Sequence, residues 1–218
     1  MSTIFRDKYL PLLFVSATKA EAKSLLSLFK KEESKYCHDK YLIQLENKKV
    51  YLIISGVGFL IGTNIFAQYL NKIKPKLVIN FGICGTLNST TSLNQNLLIE
   101  VTAINPDKEI SLKKNYMKYS PFQLKNLPKS TLLTVANPVL DSMTRDHLFQ
   151  KTGYQLVDME GYFIADECNK NNIPLWMLKH NTDFANKNTN NFVKDYQSLW
   201  QGLLAEGLSN LLAPMLKK

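Results

Sequence analysis

Short, nearly continuous apolar runs alternate along this chain with longer stretches in which apolar residues recur every three or four positions. Residues 10–17 are apolar almost throughout and too few for a buried helix, so they predict a first strand. Thr18 follows, with Glu21 three residues on, which is the capping-box pattern that opens a helix. Residues 41–45 and 50–55 read as strands separated by a turn at 46–48. Gly58 then leads into an amphipathic helix over 60–73, followed by a strand over 76–81 that Gly82-Ile83-Cys84-Gly85 brings to an end. Further strands are expected at 96–104 and 130–136, and between them residues 105–129, rich in Lys, Asn, Ser and Pro, form an irregular excursion. The last third predicts a helix over 138–151, a strand over 155–159, a helix over 161–171, a strand over 174–180 and a C-terminal helix from about residue 191. Strands interleaved with helices over the whole length imply an α/β fold, a three-layer αβα sandwich with a mixed central sheet, built as one domain over 1–218.

Two of the apolar runs close on carboxylates, at Asp158-Met159-Glu160-Gly161 and at His180-Asn181-Thr182-Asp183. A charge at the end of a buried strand is costly to desolvate unless it is paired or used, and strand ends are where α/β sheets build ligand sites. Strand alternation puts Asp158 and Glu160 on one side and Met159 on the other. Plainer roles exist for each acid. Glu21 fits a capping residue, Asp158 or Glu160 fits a cap on the next helix, and Asn-Thr-Asp is good turn chemistry for Asp183. Ser55-Gly56-Val57-Gly58 and Gly82-Ile83-Cys84-Gly85 place two glycine turns at neighbouring strand ends, where the backbone can approach a ligand closely. Cys84 reads as a small residue in a tight space, since no histidine motif accompanies it as a nucleophile's base.

Composition narrows the classes further. The net charge is +9, but only Arg6 and Arg145 among 27 basic residues are arginine, and the lysines are scattered without interleaved aromatics. Arginine is the better reader of phosphates and bases, so no nucleic-acid partner is expected. Three widely spaced cysteines and three histidines make neither a disulfide framework nor a metal site, and no cofactor is implied. No apolar run approaches the roughly 20 residues of a membrane span. The first residues lack the zones of a signal peptide, so the expected location is the cytoplasm, without membrane attachment.

Five segments in order resemble the purine nucleoside phosphorylase and nucleosidase superfamily, most closely its methylthioadenosine/S-adenosylhomocysteine nucleosidases. The segment from Phe14 to Glu21 looks like the family's first strand and the helix carrying its water-activating glutamate. Ser55-Gly56-Val57-Gly58 and the turn from Asn80 to Gly85 look like its two glycine turns. Asp158-Met159-Glu160 looks like its Glu-Met-Glu, and Thr182-Asp183 like its Ser-Asp. The resemblance implies cleavage of the N-glycosidic bond of a purine nucleoside through an oxocarbenium-like transition state. It casts Asp183 as the acid that protonates N7 and Glu21 as the base that holds the attacking water. It casts Glu160 as the partner of the ribose hydroxyls and Met159 as packing on the sugar. Asp158, Val57, Gly82 and Cys84 would complete the substrate pocket, with Phe192 over the sugar and 5′ substituent. The family's nucleosidases are dimers, so a homodimer is implied.

Phosphorolysis needs strong anion donors, usually arginine. The hexameric phosphorylases carry a Gly-Asp-Pro-x-x-Arg loop and an arginine before the second glycine turn, where this chain has Ser16-Ala17-Thr18 and Val78-Ile79-Asn80. Hydrolysis is therefore favoured over a phosphate-dependent phosphorylase. A catalytically idle nucleoside-binding protein is the alternative from a different class.

Overall fold

The computed structural model describes residues 5–29, 34–36, 42–45, 50–104, 113–116 and 127–216. The strand start expected at residue 41, the turn at 46–48 and most of the 105–129 excursion lie outside these residues. The chain begins with β1 (Leu12–Ser16), α1 (Lys19–Leu26), β2 (Ser34–Tyr36), β3 (Leu42–Leu45) and β4 (Val50–Ile54). It continues through α2 (Phe59–Ile73), β5 (Leu77–Thr86), β6 (Asn96–Ile104), β7 (Lys113–Tyr116) and β8 (Lys129–Thr134). It ends with α3 (Ser142–Thr152), β9 (Leu156–Asp158), α4 (Gly161–Lys170), β10 (Leu175–Asp183), α5 (Thr189–Asp195) and α6 (Gln197–Leu212).

All the strands join one mixed sheet. One arm runs β2-β3-β4-β1-β5, with β1 parallel to both β4 and β5. From β5 the sheet curls, because β5 pairs with both β10 and β9, and β10-β6-β8-β9 closes the ring back onto it. Alternation along the central strands sorts side chains into two cores. Leu12, Phe14, Ile79, Phe81, Trp176 and Leu178 pack with α1 and α6, against Ala22, Leu25, Leu204, Leu208 and Leu211. Leu13, Val15, Val78, Leu175 and Met177 face the other way, against Phe66, Leu70, Ile164, Ala165 and Cys168 of α2 and α4. Each such buried side chain contributes about 1.5–3 kcal/mol. The expected three layers follow from this split.

Five local expectations are corrected. Gly82-Ile83-Cys84-Gly85 does not end the strand, since β5 continues through it to Thr86, paired with β10 on one edge. The helix expected from residue 138 starts at Ser142, because Asp141 is the better cap: its side chain accepts from the Thr144 N–H at 2.7 Å. The C-terminal helix is two helices, α5 and α6, parted at Tyr196. Finally, β9 stops at Asp158 and Glu160 sits at the start of α4, so Asp158 and Glu160 are not strand neighbours and Met159 does not point away from them. Residues 113–116 form β7 on the edge of β6, within the stretch expected to be irregular.

Candidate active site

The site begins as a gap in the hydrogen-bond ladder of β5. β1 covers one edge of β5 from Leu77 to Asn80, and β9 covers it again only at Gly85 and Thr86. Between them the Ile83 N–H has no strand partner, and it donates to Glu21 Oε1 at 2.9 Å. A Cβ at position 82 would collide with Glu21 Oε1, so any residue but glycine there would displace the Glu21 carboxylate. Glu21 is also the capping residue foreseen for α1. Its Oε2 accepts from the Thr18 N–H at 2.8 Å and from the Thr18 hydroxyl at 3.0 Å. The two roles coexist because a carboxylate offers about four acceptor positions, leaving Oε1 one lone pair toward the cavity.

Over this gap lies a cavity of about 210 Å³. Its acidic end gathers Glu21, Asp158, Met159 and Glu160, with Val57 at the rim. Gly58, held at φ 86°, starts α2 and turns its N–H onto the Glu160 carboxylate. That left-handed backbone suits glycine, as at Gly56 (φ 87°). Beneath this end is a cation absent from the expected site residues. Lys179, 1% exposed on β10, sits 2.9 Å from Asp158 Oδ2 and 3.6 Å from Glu160 Oε1. Asp158 further accepts from the Thr134 hydroxyl at 2.7 Å and the Gly161 N–H at 2.9 Å. Asp158 is thus an organiser of the turn as well as a wall of the cavity.

Electrostatics differ sharply between these neighbours. Burial pushes the Glu160 carboxyl up to about 8; Lys179 and the Gly58 N–H oppose this, while the charges of Asp158 and Glu21 add to it. Burial alone would push the Lys179 ammonium down, but Asp158, Glu160 and Glu21 outweigh it and hold it above the ordinary lysine value. Between pH 4.5 and about 8 the folded protein therefore keeps a proton on Glu160 that the unfolded chain releases. Stability from this group is complete below that window and is lost as pH rises through it. The melting temperature should fall with rising pH across the window, and Glu160→Gln, which cannot titrate, should flatten the fall. An identical slope in the variant would remove Glu160 as its source.

The other end of the cavity is apolar and holds one acid. Val135, Val139, Val157 and Ala185 form its wall around Asp183, close to Gly85 and Cys84. A Cβ at Gly85 would meet Ala185 Cβ, Val157 Cγ1 and Asp183 Oδ1 between 3.1 and 3.4 Å. Asp183 Oδ1 accepts from the Ala185 N–H at 2.8 Å and the Thr189 hydroxyl at 2.7 Å; Oδ2 accepts from the Thr182 hydroxyl at 2.7 Å. Burial drives the Cys84 thiol well above its ordinary range, so it stays a neutral wall residue. His180 points to the opposite core, 3.1 Å from Asn96 Oδ1, and burial holds it down at about 4, hence uncharged.

The cavity thus brings together Glu21, Val57, Cys84, Asp158, Met159, Glu160 and Asp183. Gly82 contributes by yielding space to Glu21 and is not itself in the wall. Phe192 is elsewhere: it is 37% exposed and stacks on Tyr196 at 5.5 Å, while its neighbour Val193 and Thr189 bring α5 to the cavity. Among the described residues, no group of three or more His, Cys, Asp or Glu side chains is arranged to hold a metal ion, and no helix is long and apolar enough to cross a membrane.

A family model described as the phosphorylase superfamily matches residues 11–213. A 5′-methylthioadenosine/S-adenosylhomocysteine nucleosidase of Buchnera aphidicola subsp. Baizongia pistaciae is 28% identical over 177 residues, 68% of this chain and 67% of that protein. A mutant of the futalosine hydrolase of Helicobacter pylori strain 26695 has a similar structure, with a TM-score of 0.81 at 16% identity over 93% of this chain and 98% of that one. The 5′-methylthioadenosine/S-adenosyl homocysteine nucleosidase of Helicobacter pylori gives 0.80 at 17% identity over 93% and 97%. At such identities the likeness speaks for the fold.

Proposed function

The chain belongs to the phosphorylase superfamily, and from that premise we infer that it is a nucleosidase that hydrolyses the N-glycosidic bond of a purine nucleoside. One observation carries this: a single cavity holds an isolated acid at an apolar end and two further carboxylates, Glu160 and Glu21, at the other. Leaving-group protonation and stabilisation of a sugar cation call for that division. Asp183 gives a proton to N7 of the base, and the C1′–N bond breaks with its electron pair on the purine. Glu160 releases to solvent the proton it holds in the free protein as the ribose hydroxyls donate to it, and its negative charge then stabilises the cationic sugar. Glu21 orients water and takes its proton as the oxygen bonds to C1′.

Water rather than phosphate is the nucleophile in this reading. Among the described residues the cavity wall presents no arginine or lysine side chain to hold a phosphate. Arg145 is engaged by Asp146 at 2.7 Å and by the Phe184 carbonyl at 3.3 Å. The apolar side chains of Val57 and Val193 at the cavity suit an apolar 5′ substituent, which favours 5′-methylthioadenosine, the nucleoside named for the Buchnera relative.

The test is base release from 5′-methylthioadenosine, S-adenosylhomocysteine, adenosine, inosine and futalosine, with and without phosphate. Free adenine and free sugar from methylthioadenosine, at a rate phosphate does not change, are expected. A sugar 1-phosphate product would establish a phosphorylase instead, and binding without base release an idle nucleoside-binding protein. Glu21→Ala should cut hydrolysis by ~10²–10⁴-fold, whereas capping alone would cost about 1 kcal/mol of stability with the chemistry intact.

A homodimer is part of the same proposal. Val57 (49% exposed) and Leu140 (39%) leave apolar surface at or next to residues that line the cavity, and a two-fold partner would cover it. Full activity of a monomer defined by light scattering would refute that.

A further inference from the structure

The hydrogen bonds around Asp183 distinguish its two oxygens. Oδ1 is held by the Ala185 N–H at 2.8 Å and the Thr189 hydroxyl at 2.7 Å. The Thr189 hydroxyl cannot turn away without loss, because its oxygen also accepts the Asn186 N–H at 3.0 Å, which leaves its single proton for Asp183. Oδ1 is therefore committed to accepting. Oδ2 faces only the Thr182 hydroxyl at 2.7 Å, and that rotor has a second acceptor, the Cys84 carbonyl at 3.4 Å. It can donate to a charged Oδ2, or donate to Cys84 and accept from a protonated Oδ2. One oxygen is locked and the other is switchable.

We propose that Thr189 is a positioning residue for Asp183, fixing Oδ1 as a permanent acceptor so that Oδ2 carries and delivers the proton. The inference rests on Asp183 being the acid. In the step itself the Oδ2–H bond breaks, the proton bonds to the base nitrogen, and the C1′–N electron pair passes to the base. Oδ2 retains the electron pair of the broken O–H bond, so Asp183 becomes a carboxylate, and the Thr182 hydroxyl turns back to donate to it. Thr189 also opens α5, which brings Val193 to the cavity wall one turn later, so the same hydroxyl links the acid to a helix that lines the cavity. Ala185 serves the same oxygen from a left-handed backbone (φ 45°), an uncommon conformation for a residue with a Cβ.

The experiment compares Thr189→Val, Thr189→Ala and Thr189→Ser, alone and on Asp183→Asn, in base release from methylthioadenosine, with folding checked by circular dichroism. Both hydroxyl-less variants should lose kcat by ~10–100-fold with KM changed less than about threefold, and Thr189→Ser should recover to within about threefold of the wild type. On Asp183→Asn, whose transferable proton is already gone, Thr189→Val should lower the residual rate less than about threefold further. Wild-type kcat in Thr189→Val and Thr189→Ala, a serine variant as impaired as they are, or losses that multiply in the double variant would each overturn the proposal. Wild-type turnover in Asp183→Asn alone would instead overturn the acid assignment beneath it.

Discussion

Asp183→Asn should lower turnover by ~10²–10⁴-fold while nucleoside binding stays measurable. The substitution is nearly isosteric, and an amide oxygen can still accept from the Ala185 N–H and the Thr189 hydroxyl, so the wall around it should persist. What the amide cannot do is transfer a proton to the departing base. No second acid is placed to replace it, because the apolar end is walled by Val135, Val139, Val157 and Ala185, with a neutral Cys84 thiol close by. Turnover is read from base release and binding from a calorimetric titration with methylthioadenosine. A rate within a few-fold of the wild type would take Asp183 out of the mechanism.

The layers were legible because apolar runs such as Leu12-Leu13-Phe14-Val15 and Leu175-Trp176-Met177-Leu178 are short, dense and separated by helical periodicity. Their carboxylate ends were legible by the cost of desolvating a charge. The same argument applied to Lys179, which follows Leu175-Trp176-Met177-Leu178 in a buried strand, but its partners Asp158 and Glu160 are about twenty residues away and meet it only through the closed ring of strands. Local pattern carries no trace of that pairing. The passage of β5 through Gly82 and Gly85 was hidden likewise. Glycines that look like a chain break are there because Glu21 and Ala185 press against the strand. Phe192 shows a third limit: one position along a helix turns a side chain by about 100°, enough to exchange the cavity-lining Val193 for an exposed aromatic.

Lys179→Met should destabilise the protein by about 3–5 kcal/mol, the range for removing one partner of a buried ion pair. Lys179 and Asp158 are each 1% exposed at the side chain, so the charge left behind is poorly solvated. The Thr134 hydroxyl and Gly161 N–H still hold Asp158, so the loss comes from an uncompensated charge beside Glu160 and not from a collapsed turn. Protonating the cluster relieves that charge, so the deficit should shrink toward acid pH and grow toward alkaline pH. Adding Asp158→Asn separates the causes: the amide oxygen can accept from the Gly161 N–H while the amide NH2, in the place of Oδ1, donates to the Thr134 hydroxyl oxygen, the unpaired charge disappears, and a substantial part of the lost stability should return. Urea unfolding of the single and double variants at pH 5 and pH 8 measures all of this. A single variant within about 1 kcal/mol of the wild type at pH 8, below the cost of any broken buried pair, would mean that Lys179 does not hold the acidic end of the site together.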